Sequence, residues 1–148
     1  MTRAGAIAFS LQLALLGLGL AKASVASHED FQVIVNPQNP VSEVKRDFLR
    51  DAFLKKATNW PHGKAIRPID LAGRLPIREQ FIMEILGKTP SQLRSYWIQR
   101  IFAGLDVPPP EADSMQAAIR YVMSNAGAVA YLPATVDPGG AKVVRLAR

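Results

Sequence analysis

The chain has 148 residues, 18 Lys+Arg against 12 Asp+Glu, 49% hydrophobic residues and no cysteine. That length holds one ordinary domain, and the lack of cysteine excludes a disulfide framework, a thiolate nucleophile, Cys-ligated zinc and lipidation at an N-terminal Cys. A formal charge of +6 and a pI of about 10.0 point towards nucleic acid only if the whole chain is the working form.

In chain order, Arg3 is followed by an apolar run from Ala4 to Leu20, then by Ala21-Lys22-Ala23. A basic start, a leucine-rich middle and a small-x-small exit form the pattern of a secretory signal. An uncleaved anchor or a buried helix fits less well, because a spanning helix needs about 20 strongly apolar residues. Residues 1–23 therefore read as a cleaved signal peptide, with Ser24-Val25-Ala26 as a second candidate exit. Removing them takes Arg3 and Lys22 and no acid, which leaves 16 basic residues against 12 acidic ones, a charge of +4 on 125 residues. The expected location is periplasmic or secreted, with no nucleic-acid partner and no stable membrane insertion after cleavage.

Residues 24–30 read as a flexible tail and residues 31–148 as one domain. Phe31 to Val35 is a β-branched run stopped by Asn36-Pro37 and reads as a strand. Ser42 is placed to cap a helix from about Glu43 to Lys56, with Val44, Phe48, Leu49, Ala52 and Phe53 on its apolar face. Lys45, Arg46, Arg50 and Lys55 lie off that face and read as solvated, with a basic docking face as the alternative. Trp60 in the following loop reads as a plug over the core. Ala65 to Asp70 is a second strand, which Pro68 either places at an edge or bends. Pro76 opens a helix with Ile77, Phe81, Ile82 and Ile85 on one side, and Gly87 stops it. Thr89-Pro90-Ser91-Gln92 is a capping box opening another helix, which runs to Gly104. Val107 to Pro110 is an extended connector. Asp113 and Gln116 mark a further helix start, Ala128 to Leu132 a strand, Asp137 to Gly140 a turn, and Lys142 to Leu146 a last strand. This alternation implies an α/β sandwich around a small, largely parallel or mixed sheet.

No constellation for catalysis emerges. His28 and His62 have no ligand-spaced partner, no serine stands in a nucleophile elbow, and Glu79 and Glu84 read as exposed helix positions. The reading is non-enzymatic, without cofactor or metal. One place has a rationale for binding. Strand ends that meet helix N-termini gather ligands in open α/β sheets. The backbone N–H groups of Ile77, Arg78 and Glu79 would face an anion there, with Arg74 and Arg78 flanking it. The competing reading pairs both arginines with local carboxylates such as Asp70 and Glu79.

Four stretches resemble a known family in the right order. They are Phe31-Gln32-Val33-Ile34-Val35-Asn36-Pro37-Gln38-Asn39-Pro40-Val41-Ser42, Leu49 to Thr58-Asn59-Trp60, Arg78-Glu79-Gln80-Phe81, and Gly127-Ala128-Val129-Ala130-Tyr131-Leu132. Together they are similar to the phosphate-binding proteins of ABC importers, over nearly all of residues 31–133. The resemblance implies a type 2 periplasmic-binding-protein fold, an exported location and capture of phosphate between two lobes. Family members are usually about twice as long or more, so only one lobe is expected here. The family's Ser-Gly-Thr-Arg loop aligns with Leu75-Pro76-Ile77-Arg78, where only the arginine survives. Each lost hydrogen bond to a charged ligand is worth about 1.5–3 kcal/mol, so binding weaker by several decades is expected at about 1.4 kcal/mol per decade.

The resulting expectation is a single-lobe, three-layer α/β sandwich of type 2 binding-protein character. It is a substrate-binding-like protein with weak or altered anion binding through Arg78, helped by Arg74 and Ile77. The expected partners are phosphate or another small oxyanion, an ABC permease or other envelope protein, and a second copy in a homodimer. The alternative is a degenerate lobe acting as an envelope interaction module.

Overall fold

The structure, a computed structural model, describes residues 30–148. The signal peptide expected over residues 1–23 and nearly all of the tail expected over 24–30 lie outside the described residues.

Strand β1 (Phe31–Val35) lies in the middle of a five-stranded mixed sheet. It pairs antiparallel with β6 (Ala128–Pro133) on one side and with β7 (Lys142–Ala147) on the other. Parallel edge strands close the sheet: β2 (Glu43–Lys45) beside β7, and β3 (Arg67–Pro68) beside β6. A two-stranded parallel ribbon, β4 (Asp70–Leu71) with β5 (Glu111–Ala112), stands apart from it.

Both faces of the sheet are covered. On one face Tyr131 stacks on Phe81 at 3.7 Å between ring centroids, and Phe53 meets both rings edge-on. These rings bring in α1 (Arg46–Phe53) and α2 (Pro76–Phe81), the latter continuing as a wider π-type turn over Ile82–Leu86. Ile34, Ala130 and Leu132 point the other way and are just as dry, as expected of strands covered on both sides. Helix α4 (Met115–Ser124) packs on β1 and β6. Asn36 ties its end down, donating from Nδ2 to the carbonyls of Val122 at 2.9 Å and Met123 at 3.0 Å. The turn residue of the sequence thus satisfies carbonyls that a helix end leaves open.

Trp60 is buried and donates from Nε1 to the Gly127 carbonyl at 3.0 Å, the plug that the sequence suggested. Gly127 is required there: a Cβ would stand 2.0 Å from the Ala65 carbonyl oxygen. The capping box of Thr89 and Gln92 opens α3 (Pro90–Phe102), with both reciprocal bonds formed. Gly104 closes it in a left-handed turn, the Leu105 amide reaching back to the Arg100 carbonyl at 3.0 Å, a Schellman closure.

Four sequence expectations are corrected. Ser42 does not cap a helix; its carbonyl accepts from the Arg145 amide at 2.9 Å, and Glu43–Lys45 form a strand on β7. Long-range pairing overrides the local capping signal, and α1 starts at Arg46 with no side-chain cap. The second strand is two strands: the Ile69 amide still bonds Val129 in the main sheet, while the Asp70 amide bonds Pro110 in the ribbon. The connector therefore ends in β5, whose two residues are too few to announce themselves. Finally, Ser114 rather than Asp113 caps α4, accepting from the Ala117 amide at 3.1 Å.

Candidate functional site

The switch of Ile69–Asp70 from sheet to ribbon places Asp70 at the floor of a cleft of about 400 Å³. Its walls are the start of α2, the side of α3 and the proline connector, through Arg78, Arg94, Trp97, Ile98, Ile101 and Glu111 among others.

Asp70 is buried and fully engaged. Oδ1 accepts from the Leu71 amide at 2.8 Å and from the Tyr131 hydroxyl at 2.5 Å. Oδ2 accepts from Arg78 Nε at 3.0 Å and forms an ion pair with Nη2 at 2.9 Å. Arg78 Nη2 also reaches Glu111 Oε1 at 3.3 Å. Burial, and then the Asp70 charge beside it, push the Tyr131 hydroxyl well above the usual tyrosine range, so the hydroxyl stays a donor. The Arg78 side chain is only 19% exposed, and Nη1, which makes neither of these bonds, sits beside Gly73.

Of the sequence-named residues, Arg78 lines the cleft and Arg74 does not. Arg74 reaches from the loop to Asp113, bonding its carbonyl at 2.5 Å and approaching its carboxylate at 3.7 Å. The Ile77 side chain is buried in the core. The Arg78 amide, expected to be open, is spent on the Leu75 carbonyl at 3.0 Å. Both arginines pair with carboxylates, as the competing reading held, but through Asp70, Glu111 and Asp113 rather than Glu79.

Sequence reasoning missed Tyr131, Glu111 and Arg94. Tyr131 read as a strand residue, and nothing local marks the hydroxyl's long-range partner 61 positions away. Arg94 is exposed on α3, with no ion-pair partner among the described residues. Two carboxylates thus face two guanidiniums across the cleft, and its formal charge is nil. A second groove, of about 270 Å³ around Val44, Phe48 and Trp60, is mainly apolar.

Among the described residues no three His, Asp or Glu side chains gather as a metal site, and no helix is long and apolar enough to cross a membrane.

No protein-family model matches the chain, and no curated protein matches it. Solved structures do. One is a protein assigned as a phosphate ABC transporter substrate-binding protein from Clostridium perfringens, solved with bound phosphate (TM-score 0.62, 20% identity, 80% of this chain and 45% of that one). Another is an ABC-type phosphate transport receptor from Vibrio cholerae (TM-score 0.62, 19% identity, 80% and 46%). A third is PstS from Borrelia burgdorferi (TM-score 0.59, 11% identity, 80% and 47%). The chain spans less than half the length of these structures. At such identities the likeness is one of fold: an α/β sandwich with a mixed sheet, of type 2 periplasmic-binding-protein character.

Proposed function

We propose that this lobe is an exported, non-catalytic, substrate-binding-like protein that takes a small oxyanion such as phosphate weakly at the Arg78 cleft. The observation that carries the reading is the position of Arg78: the one arginine kept from the resemblance stands on the wall of a 400 Å³ cleft. Arg78 is the main contact, and Arg94 faces the same space. Arg74 and the Ile77 amide are the helpers named from the sequence, with Arg74 first having to leave Asp113.

The same geometry argues for weakness. An entering anion competes with Asp70 and Glu111 for Arg78 and is repelled by both. Pro76 supplies no N–H, and the Arg78 amide is already bonded. A dissociation constant in the millimolar range is expected, roughly 4 kcal/mol.

Calorimetric titration of residues 24–148, which contain the whole described fold, tests this with phosphate, sulfate and small carboxylates at low salt. Weak heats lost in Arg78→Ala support the reading. Absence of heat with every anion overturns it, and heats that survive Arg78→Ala move the site elsewhere. An export assay with residues 1–29 fused to a reporter tests the location.

A second reading, an envelope interaction module, is favoured by a separate observation: a stripe of exposed apolar side chains on α3 and its exit.

A further inference from the structure

The four charges of the Arg78 cleft are not equally engaged. Asp70 spends both oxygens on the Leu71 amide, the Tyr131 hydroxyl and Arg78. Arg78 turns Nε and Nη2 to Asp70 and shares Nη2 with Glu111 Oε1 at 3.3 Å. Two groups are left over. The second carboxylate oxygen of Glu111, on a side chain that is 52% exposed, has no partner among the described residues. The exposed Arg94 guanidinium has none either. These two groups are of opposite sign, line one cleft, and stand too far apart to pair with each other.

The space between them is walled by apolar groups. Glu111 is the register partner of Asp70 in the ribbon, which sets it at the floor. Arg94, Ile98 and Ile101 stand at i, i+4 and i+7 on α3, on one side of the helix and along about 10 Å of its axis. Ile98 and Ile101 are each about half exposed, and Pro108 and Pro109 of the connector complete the apolar lining.

We propose that the cleft takes a small zwitterion with an apolar body, of the amino-acid class. Its carboxylate lies on Arg94, its ammonium group on Glu111, and its aliphatic part along Ile98 and Ile101. This rests on the reading of the Arg78 cleft as a ligand site and names the ligand that the unspent charges fit. A bare oxyanion satisfies Arg94 but leaves the free Glu111 oxygen unpaired and is repelled by it. A bare cation meets the reverse. A zwitterion gives each group a charge-assisted hydrogen bond and leaves the Asp70–Arg78–Tyr131 cluster undisturbed. It also covers apolar surface that phosphate leaves wet. A space of about 400 Å³ is of the size that small-molecule sites have.

Calorimetric titration of residues 24–148 with L-leucine, against phosphate, isocaproate and glycine, tests the assignment. Leucine is expected to bind at least about tenfold more tightly than phosphate or than isocaproate, which is leucine without its ammonium group. Glycine, which lacks the aliphatic part, is expected to bind more weakly than leucine. Glu111→Gln separates the ligands. It is expected to weaken leucine about tenfold and to strengthen phosphate, because it removes the ammonium's acceptor and a competitor for Arg78 at once. A merely structural Glu111 would move both ligands the same way. Arg94→Gln is expected to weaken leucine by a similar factor while circular dichroism stays unchanged. Leucine that binds no more tightly than phosphate, or leucine binding untouched by both substitutions, overturns the zwitterion. Phosphate heats lost in Arg78→Ala would then leave the oxyanion reading standing. With no heat from any of the four ligands, both fall.

Discussion

The Asp70 cluster and the α3 stripe invert the usual layout of a small domain. Charge lies inside, with Asp70, Arg78 and Tyr131 mutually satisfied under the sheet, while apolar side chains lie outside: Ile98, Ile101 and Phe102 on α3 and Leu105 past its end. The inner charges make nearly all the bonds they can, so they hold β4, β6 and α2 together and leave little affinity for a ligand. The outer face makes almost none, so its burial energy is still to be used. At about 25 cal/mol per Å² exposed apolar side chains of this kind carry more binding potential than an arginine already shared by two carboxylates. The comparison teaches that the part of this lobe resembling a ligand site is mostly structural, and that the part best suited to binding is one whose spacing looks like core.

If the cluster is structural, breaking it must cost stability. Asp70→Ala strands a largely buried guanidinium and orphans the Tyr131 hydroxyl, and a loss of about 3–5 kcal/mol is expected by urea unfolding. A loss below about 1 kcal/mol would show the pair to be solvated and available to ligand. Tyr131→Phe removes only the hydroxyl bond to the carboxylate and is expected to cost about 1.5–3 kcal/mol near neutrality.

The alkaline behaviour of that variant sharpens the point. The Tyr131 pKa is raised in the folded state above its ordinary 10.0. As pH rises past about 10 the unfolded chain releases the tyrosine proton while the native state holds it, so the native state binds more protons and loses stability. The advantage of Tyr131 over Phe should therefore shrink by about 1.4 kcal/mol per pH unit above 10. A constant difference across pH 8 to 11 would contradict the buried hydroxyl–carboxylate bond.

On the stripe side the effects on folding are small. Thr89→Ala is expected to cost about 1 kcal/mol, because the capping box fixes where α3 begins. Phe102→Ser is expected to change the stability of the monomer by no more than about 0.5 kcal/mol. A large loss would mean that the ring packs within its own chain.

Local signals in the sequence carried most of the fold. The β-branched run of β1, the Thr89-Pro90-Ser91-Gln92 start and the Gly87 stop all stand where the sequence placed them. The departures share one cause, that long-range pairing outranks a local cue. Ser42 reads as a cap until β7 claims it, and Ile69-Asp70 reads as one strand until two sheets divide it. The candidate site was legible only in part for the same reason. Arg78 could be named from its place in the first turn of a helix, but the residues clustered with it, Asp70, Glu111 and Tyr131, come from three different strands. The exposure of Ile98, Phe102 and Leu105 was not legible either, since apolar spacing reports a helical face without reporting what covers it.

The most direct test is an amide-resolved NMR titration of residues 24–148 with phosphate. Fast-exchange shifts centred on Leu71, Arg78, Glu111 and Ala112 that saturate only at millimolar phosphate are expected. Saturation at micromolar phosphate, or no shift at these amides, would contradict weak binding at the Arg78 cleft.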